Sequence, residues 1–199
     1  MLGFCYQSFM QLWLASASPR RKAMLEPLFF NFRAEGLLGV DETPPHGTVE
    51  YQVSEICQRK VGAIPEEHGF DLVLVCDTMI ADPDDHLLSL GKPNDELEAA
   101  MMLHRLSGRR HLVWTASSMW YQGRWLHSCE SSVVEIPSLS VEDFTDLLSS
   151  GSWQGKAGGY DLHGKMGEHA SVIDGNTSVV LGITREVMNL LETLVASQL

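Results

Sequence analysis

Leu14-Ala15-Ser16-Ala17-Ser18-Pro19-Arg20-Arg21-Lys22 joins an apolar run to two serines and three consecutive basic residues, and those types at that spacing suit an anion. Ser18 is a good N-cap, and Pro19 at the first helical position would open a helix. Free backbone N–H groups, the helix dipole, the hydroxyls of Ser16 and Ser18 and the guanidinium groups of Arg20 and Arg21 would then converge on a phosphate. The same residues also describe a capped helix with solvated arginines, and the stretch alone does not choose between the two. Asp77, followed by Thr78, ends the apolar run Asp71 to Cys76. A carboxylate at the carboxyl end of a buried strand stands where ligands of open α/β sheets bind, although an aspartate there can equally cap a turn. Lone lysines are usually solvated, but Lys92 is held between Gly91 and Pro93, which fix the backbone around it.

Other chemistries fit less well. Gly151 to Ala157 is one residue short of a Walker A loop, and Ala157 stands where a hydroxyl is required. There is no G-x-S-x-G elbow, and His163 and His169 lack the helical HExxH arrangement of a zinc protease. The acidic run Asp82-Pro83-Asp84-Asp85 lacks the glycine and the distal glutamate of a calcium loop and reads as a solvated turn. Water is therefore the expected nucleophile.

The elements that must position these groups read as an alternating α/β pattern. Strands are expected at Gln11 to Ala15, Phe30 to Leu38 and Asp71 to Cys76, the last a continuous apolar run typical of a central strand. Helices are expected from Pro19 to about Phe29, from Val49 to Ile64, and from an Asn94 cap to Leu106 with Gly108 as the stop. The second of these places Arg59 and Lys60 beside its apolar face, and a loop over Gly39 to Gly47 carries Asp41 and Glu42. Ile80 to Leu90 predicts one hairpin, and His111 to Trp120 with Trp125 to Ile136, joined through Gln122-Gly123, predicts another. Ser140 with Asp143 opens a helix to Ser149; the glycine-rich loop Gly151 to Gly167 follows. Ala170 to Ile173 and Val179 to Ile183 read as strands, and Thr184 caps a last helix with Val187, Leu190, Leu191, Leu194 and Val195 as its apolar stripe.

At 199 residues the chain suits one domain with a sizeable core, and 44% hydrophobic with 20% charged residues is an ordinary globular balance. Fourteen basic against 26 acidic side chains leave a formal charge of −12, which argues against nucleic acid or an anionic membrane as partner. A small anionic substrate must then be drawn by a local basic cluster. The four cysteines form no CxxC pair and no zinc spacing, as expected of a reduced cytoplasm. Ala15-Ser16-Ala17 matches a signal cleavage site, but the stretch before it has no basic region, and Gln7 and Gln11 interrupt the apolar run. No apolar run is long enough for a membrane span.

The opening stretch resembles the first motif of the Maf family, nucleotide pyrophosphatases that cleave nucleoside triphosphates to monophosphate and pyrophosphate. Further landmarks follow in order: Val40-Asp41-Glu42, Arg59-Lys60, Asp77-Thr78, Gly91-Lys92-Pro93, Leu106-Ser107-Gly108 with His111 and Thr115, and Gly155-Lys156-Ala157-Gly158-Gly159-Tyr160 with Gly164. The resemblance runs from about Gln11 to Leu194; residues 1–9 would be an extension before a family-like start at Met10, and residues 10–199 the single domain. It implies an α/β fold like that of inosine triphosphate pyrophosphatases, with a long twisted mixed sheet, flanking helices and two lobes around a cleft. It also implies Asp77 as general base, Glu42 with Asp77 for a divalent metal, magnesium or manganese, and Asp41 as support. Lys60 and Lys92 become catalytic cations, Lys156 a weaker one, and Ser16, Ser18, Arg20 and Arg21 the phosphate cradle. A homodimer is implied by resemblance only.

At three specificity positions the dTTP/UTP branch carries arginine, threonine and glutamine, and the 7-methyl-GTP branch tryptophan, glutamine and glutamate. Arg20, Thr78 and His163 stand there in this chain. Two match the first branch, but an imidazole cannot offer an amide's simultaneous donor and acceptor, which leaves the base preference open. The expected activity is hydrolysis of a pyrimidine or modified nucleoside triphosphate. Its rivals are a nucleotide-binding regulator of septum formation with little catalysis and a phosphatase acting at the γ-position.

Overall fold

The structure is a computed structural model, and it describes residues 10–197; the expected N-terminal extension and Cys5 lie outside the described residues. Among the described residues there are seven strands, β1 (Leu12–Leu14), β2 (Arg33–Ala34), β3 (Leu72–Ala81), β4 (Ser89–Leu90), β5 (Arg109–Tyr121), β6 (Arg124–Ile136) and β7 (Ser171–Asp174). They form one mixed sheet in the order β2-β1-β3-β5-β6-β7, with β4 paired to the far end of β3. β1 runs parallel to β2 and β3, and the other pairs are antiparallel. The helices are α1 (Pro19–Leu25), α2 (Val49–Gly62), α3 (Glu96–Leu106), α4 (Val141–Ser149), α5 (Thr177–Leu181) and α6 (Arg185–Ala196).

Side chains along β3 alternate between the faces of the sheet, and the core follows that period. Leu72, Leu74 and Cys76 pack with Leu12, Leu14 and Met119 against Leu25 at the end of α1, against Phe29 beyond it, and against Val187, Leu191 and Val195 of α6. Val73 and Val75 face the other way, onto Val53 and Cys57 of α2. Beyond these, Ile80, Val113, Val134 and Ile136 pack against Leu103 and Leu106 of α3, Leu147 of α4 and Tyr160, Met166 and Val180, forming a second lobe. The two thirteen-residue strands β5 and β6 run through both lobes.

β1 leaves the sheet after Leu14, whose partner is Leu74, and β4 joins only at Ile80. Among the described residues, the β3 edge between those pairs has no strand beside it, and Asp77 and Thr78 border a cavity at this notch. Both were expected at the end of the strand, but β3 continues through them to Ala81 because β5 pairs with it from Leu72 to Ile80.

Other expectations shift in the same local way. Asp95, one residue after the expected Asn94, caps α3 by accepting from Glu98 N–H. α1 ends at Leu25 rather than near Phe29, and Phe30 to Leu38 contributes only a two-residue strand. Val179 to Ile183, expected as a strand, lies instead on α5 and its C-terminal turn: Asn176 accepts from Ser178 N–H at the helix start, and Gly182, at φ 110°, ends it. Thr184 begins α6, but its hydroxyl makes no cap; Glu130 of β6 accepts from Arg185 and Glu186 N–H in its place.

Candidate active site

A cavity of about 340 Å³ fills the notch, lined by Ser16, Ser18, Arg20 and Arg21 from the β1–α1 turn, Glu42, Lys60 from α2, Asp77 and Thr78 from β3, Lys92 and Lys156. These residues come from six separate stretches of the chain, and most of the expected site residues meet here.

On the α2 side, Lys60 Nζ donates to Asp77 Oδ1 at 2.7 Å and lies 3.2 Å from Glu42 Oε2. Asp77 is 8% exposed. Burial pushes its carboxyl pKa up from the ordinary value, the neighbouring Lys60 pulls it back, and Glu42 adds to the rise. Glu42 is half exposed, on a loop tied down by Arg59, which donates to the carbonyls of Thr43 at 2.8 Å and Asp41 at 3.3 Å. Asp41 accepts from Thr43 N–H and pairs with Arg59; it steadies the loop and does not line the cavity.

Arg21 is a clamp between elements. Its Nε donates to the Gly182 carbonyl at 2.8 Å, Nη1 to Ser16 Oγ at 3.0 Å and Nη2 to Thr78 Oγ1 at 3.0 Å. A Cβ on Gly182 would lie 2.8 Å from Arg21 Nε, so this approach requires glycine there. Thr115 donates its one hydroxyl proton to the Val179 carbonyl at 2.7 Å, so the 2.9 Å contact between Thr78 and Thr115 is a donation from Thr78. A directed chain results, from Arg21 to Thr78 to Thr115 to Val179. It commits the Thr78 proton and leaves Thr78 with one lone pair to offer the cavity. Ser18 Oγ accepts from Arg21 N–H as the α1 cap, and Ser16 Oγ accepts from Ser18 N–H.

Arg20 and Lys156 form a second cluster, joined through Asp161. Arg20 Nη1 is 3.8 Å from Asp161 Oδ1, and Lys156 Nζ is 3.4 Å from Asp161 Oδ2. Arg20 and Thr78 also border a small recess walled by Ile80, Val113, Ala157, Tyr160 and Val180. Lys92 is exposed at the rim; Pro93 beside it is buried, and the Gly91 carbonyl accepts from Gly158 N–H, which ties the Lys92 turn to the glycine-rich loop.

His163 is exposed and is not among the residues lining the cavity; its backbone N–H donates to Asp161 Oδ1 at 3.0 Å. Asp161 was not singled out from the sequence, where the only available signal was an aspartate two residues before a backbone donor, the mark of an Asx turn. Among the described residues, no group of three or more His, Cys, Asp and Glu is arranged to hold a metal ion. Glu42 and Asp77 do converge on one point, now taken by Lys60 Nζ, and two carboxylates suit a hard cation that completes its shell with water and phosphate oxygens.

A sequence model of the family described as Maf-like protein matches residues 11–194. The dTTP/UTP pyrophosphatase of Ruegeria sp. (strain TM1040) is 34% identical over 184 residues, covering 90% of this chain and 92% of the relative. That of Bacillus velezensis is 35% identical over 178 residues, covering 87% and 90%. That of Myxococcus xanthus is 36% identical over 174 residues, covering 86% of each.

Proposed function

The chain belongs to the Maf-like family, and from that premise we propose that it is a nucleoside triphosphate pyrophosphatase that hydrolyses dTTP and UTP to the monophosphate and pyrophosphate. The observation that carries this reading is the meeting, in one notch of the sheet, of the Lys60–Asp77–Glu42 cluster with a wall of cations.

Asp77 acts as general base. Lys60 engages its Oδ1, and its other oxygen takes the proton of a water aimed at the α-phosphorus. Burial raises the proton affinity of this carboxylate toward the range where a base works. Lys60 and Lys92 offset negative charge that develops on the α-phosphate and the departing pyrophosphate. The Ser16–Ser18 turn, held by Arg21, shapes the phosphate seat.

Glu42 and Asp77 would hold magnesium or manganese at the point they now share through Lys60 Nζ, with Lys60 displaced toward the phosphates, and such a cation would polarise phosphate oxygens.

Base selection follows from proton bookkeeping at Thr78. Its proton is committed to Thr115, so it accepts and does not donate. Uracil and thymine present N3–H as a donor beside two carbonyls, which meet Thr78 and the Arg20 guanidinium; cytosine presents an acceptor at N3 and is disfavoured.

We extend the reading to a homodimer in the cytoplasm, on the family resemblance and on the unpaired Cys57, Cys76 and Cys129. Among the described residues, no helix is long and apolar enough to cross a membrane.

The test is product analysis with magnesium or manganese on dTTP, UTP, CTP, modified pyrimidine triphosphates and 7-methyl-GTP. Monophosphate and pyrophosphate from UTP and dTTP are expected. Orthophosphate as first product, or no turnover by folded protein that binds nucleotide, would overturn the reading.

A further inference from the structure

Asp161 touches both cations at one end of the cavity, and nothing above gives it a role. Its carboxylate is 14% exposed and lies between Arg20, at 19%, and Lys156, at 18%. It is also fixed in orientation. His163 N–H donates to Oδ1, and the preceding Tyr160, 3% exposed, meets buried His111 Nε2 through its hydroxyl at 2.8 Å. Asp161 is therefore a fixed negative charge behind two cavity-facing cations, and not a side chain free to follow them.

That charge changes what the two cations can recognise. A bare guanidinium beside a bare ammonium is a phosphate site by default. With a carboxylate shared between them, one of their two positive charges is balanced, and their attraction for another dianion is reduced. They still carry N–H donors, which suit a neutral acceptor such as a base carbonyl.

We propose that Asp161 is a positioning residue for base recognition: by holding and partly neutralising Arg20 and Lys156, it makes their end of the cavity read the base and keeps the phosphates at the opposite end. This rests on the pyrophosphatase reading above. It assigns the discriminating role in the glycine-rich loop to Asp161 acting through Arg20, and none to the His163 imidazole.

The experiment compares wild type with Asp161→Asn, Asp161→Glu and His163→Ala, and reads two quantities. The first is the ratio of kcat/KM for UTP over CTP. Asp161→Asn should lower it by about tenfold, chiefly through UTP, while His163→Ala leaves it within about twofold. The second is calorimetric affinity for inorganic pyrophosphate, which needs no turnover. With the cations released, Asp161→Asn should bind pyrophosphate about fivefold or more tighter than wild type, and Asp161→Glu should return both readouts toward wild type.

A purely structural Asp161 would weaken both nucleotides alike and would not tighten pyrophosphate, and that result would overturn the proposal. A ratio that collapses in His163→Ala and holds in Asp161→Asn would overturn it too. Wild type that turns over no triphosphate fails the pyrophosphatase reading instead, and the pyrophosphate measurement still decides whether Asp161 sets the charge of this end.

Discussion

The two ends of the cavity are built from the same parts in opposite proportion. On the α2 side two carboxylates, Glu42 and Asp77, share one ammonium, Lys60. At the glycine-rich loop two cations, Arg20 and Lys156, share one carboxylate, Asp161. The first end is left with an excess of negative charge, so it suits a base that takes a proton, and it meets the negative phosphates only through a metal cation and the nearby Lys92. The second is left with an excess of N–H donors, so it suits a neutral acceptor. A nucleotide has this polarity itself, charged at the phosphates and neutral at the base, and one cavity can bind it in a single direction only if its ends differ.

The largest break in this contrast is Asp77→Asn, which removes the base and one of the two carboxylates. A loss of kcat of about 10³-fold is expected, with nucleotide binding retained, measured by steady-state kinetics beside calorimetry.

The next effect is on stability and concerns His111, which anchors Tyr160 beneath the second end. Burial pulls its pKa down from 6.5 to about 4. The unfolded chain therefore takes up this proton first as pH falls. The stability involved is fully present above pH 6.5 and drains away as pH falls toward 4. Between pH 7.5 and 5 the expected loss is about 2 kcal/mol, read by urea denaturation, and His111→Gln, which does not titrate, should remove that part of the pH dependence.

Thr78→Val is expected to act more gently on activity. It takes away the acceptor between the two ends and should lower the preference for UTP over CTP by about tenfold. Because Arg21 Nη2 and Thr115 then lose a partner, a stability cost of about 1–2 kcal/mol should accompany it in the same denaturation assay.

Different physical signals made these two ends unequally legible in the sequence. Leu72 to Cys76 is a continuous apolar run and reads directly as a buried strand. Its continuation through Asp77 and Thr78 does not, because polar residues placed for a site interrupt the pattern that identifies a strand, while pairing with β5 carries the strand on regardless. Val179 to Ile183 failed in the opposite sense. A mostly apolar run of five residues, three of them β-branched, is too short for periodicity to decide, and the Asn176 cap with the left-handed Gly182 made it a helix, which leaves the Val179 and Gly182 carbonyls to accept from Thr115 and Arg21. Lys60, Glu42 and Asp77 could be named in advance because each sits in a recognisable ordered motif. Asp161 sits in a loop with no periodicity, and its importance depends on Arg20, 141 positions away, which only the folded chain brings near. Arg21 was legible as a cation but not as a clamp, since its three acceptors come from three separate stretches.

The most direct test of the central claim, that Asp77 aims water at the α-phosphorus, is hydrolysis of UTP in ¹⁸O-water followed by mass spectrometry of both products. Label in the monophosphate and none in the pyrophosphate is the expected result. Label in pyrophosphate, or in released orthophosphate, would mean attack at another phosphorus and would contradict the assignment of the Lys60–Asp77–Glu42 end as the place where water is activated.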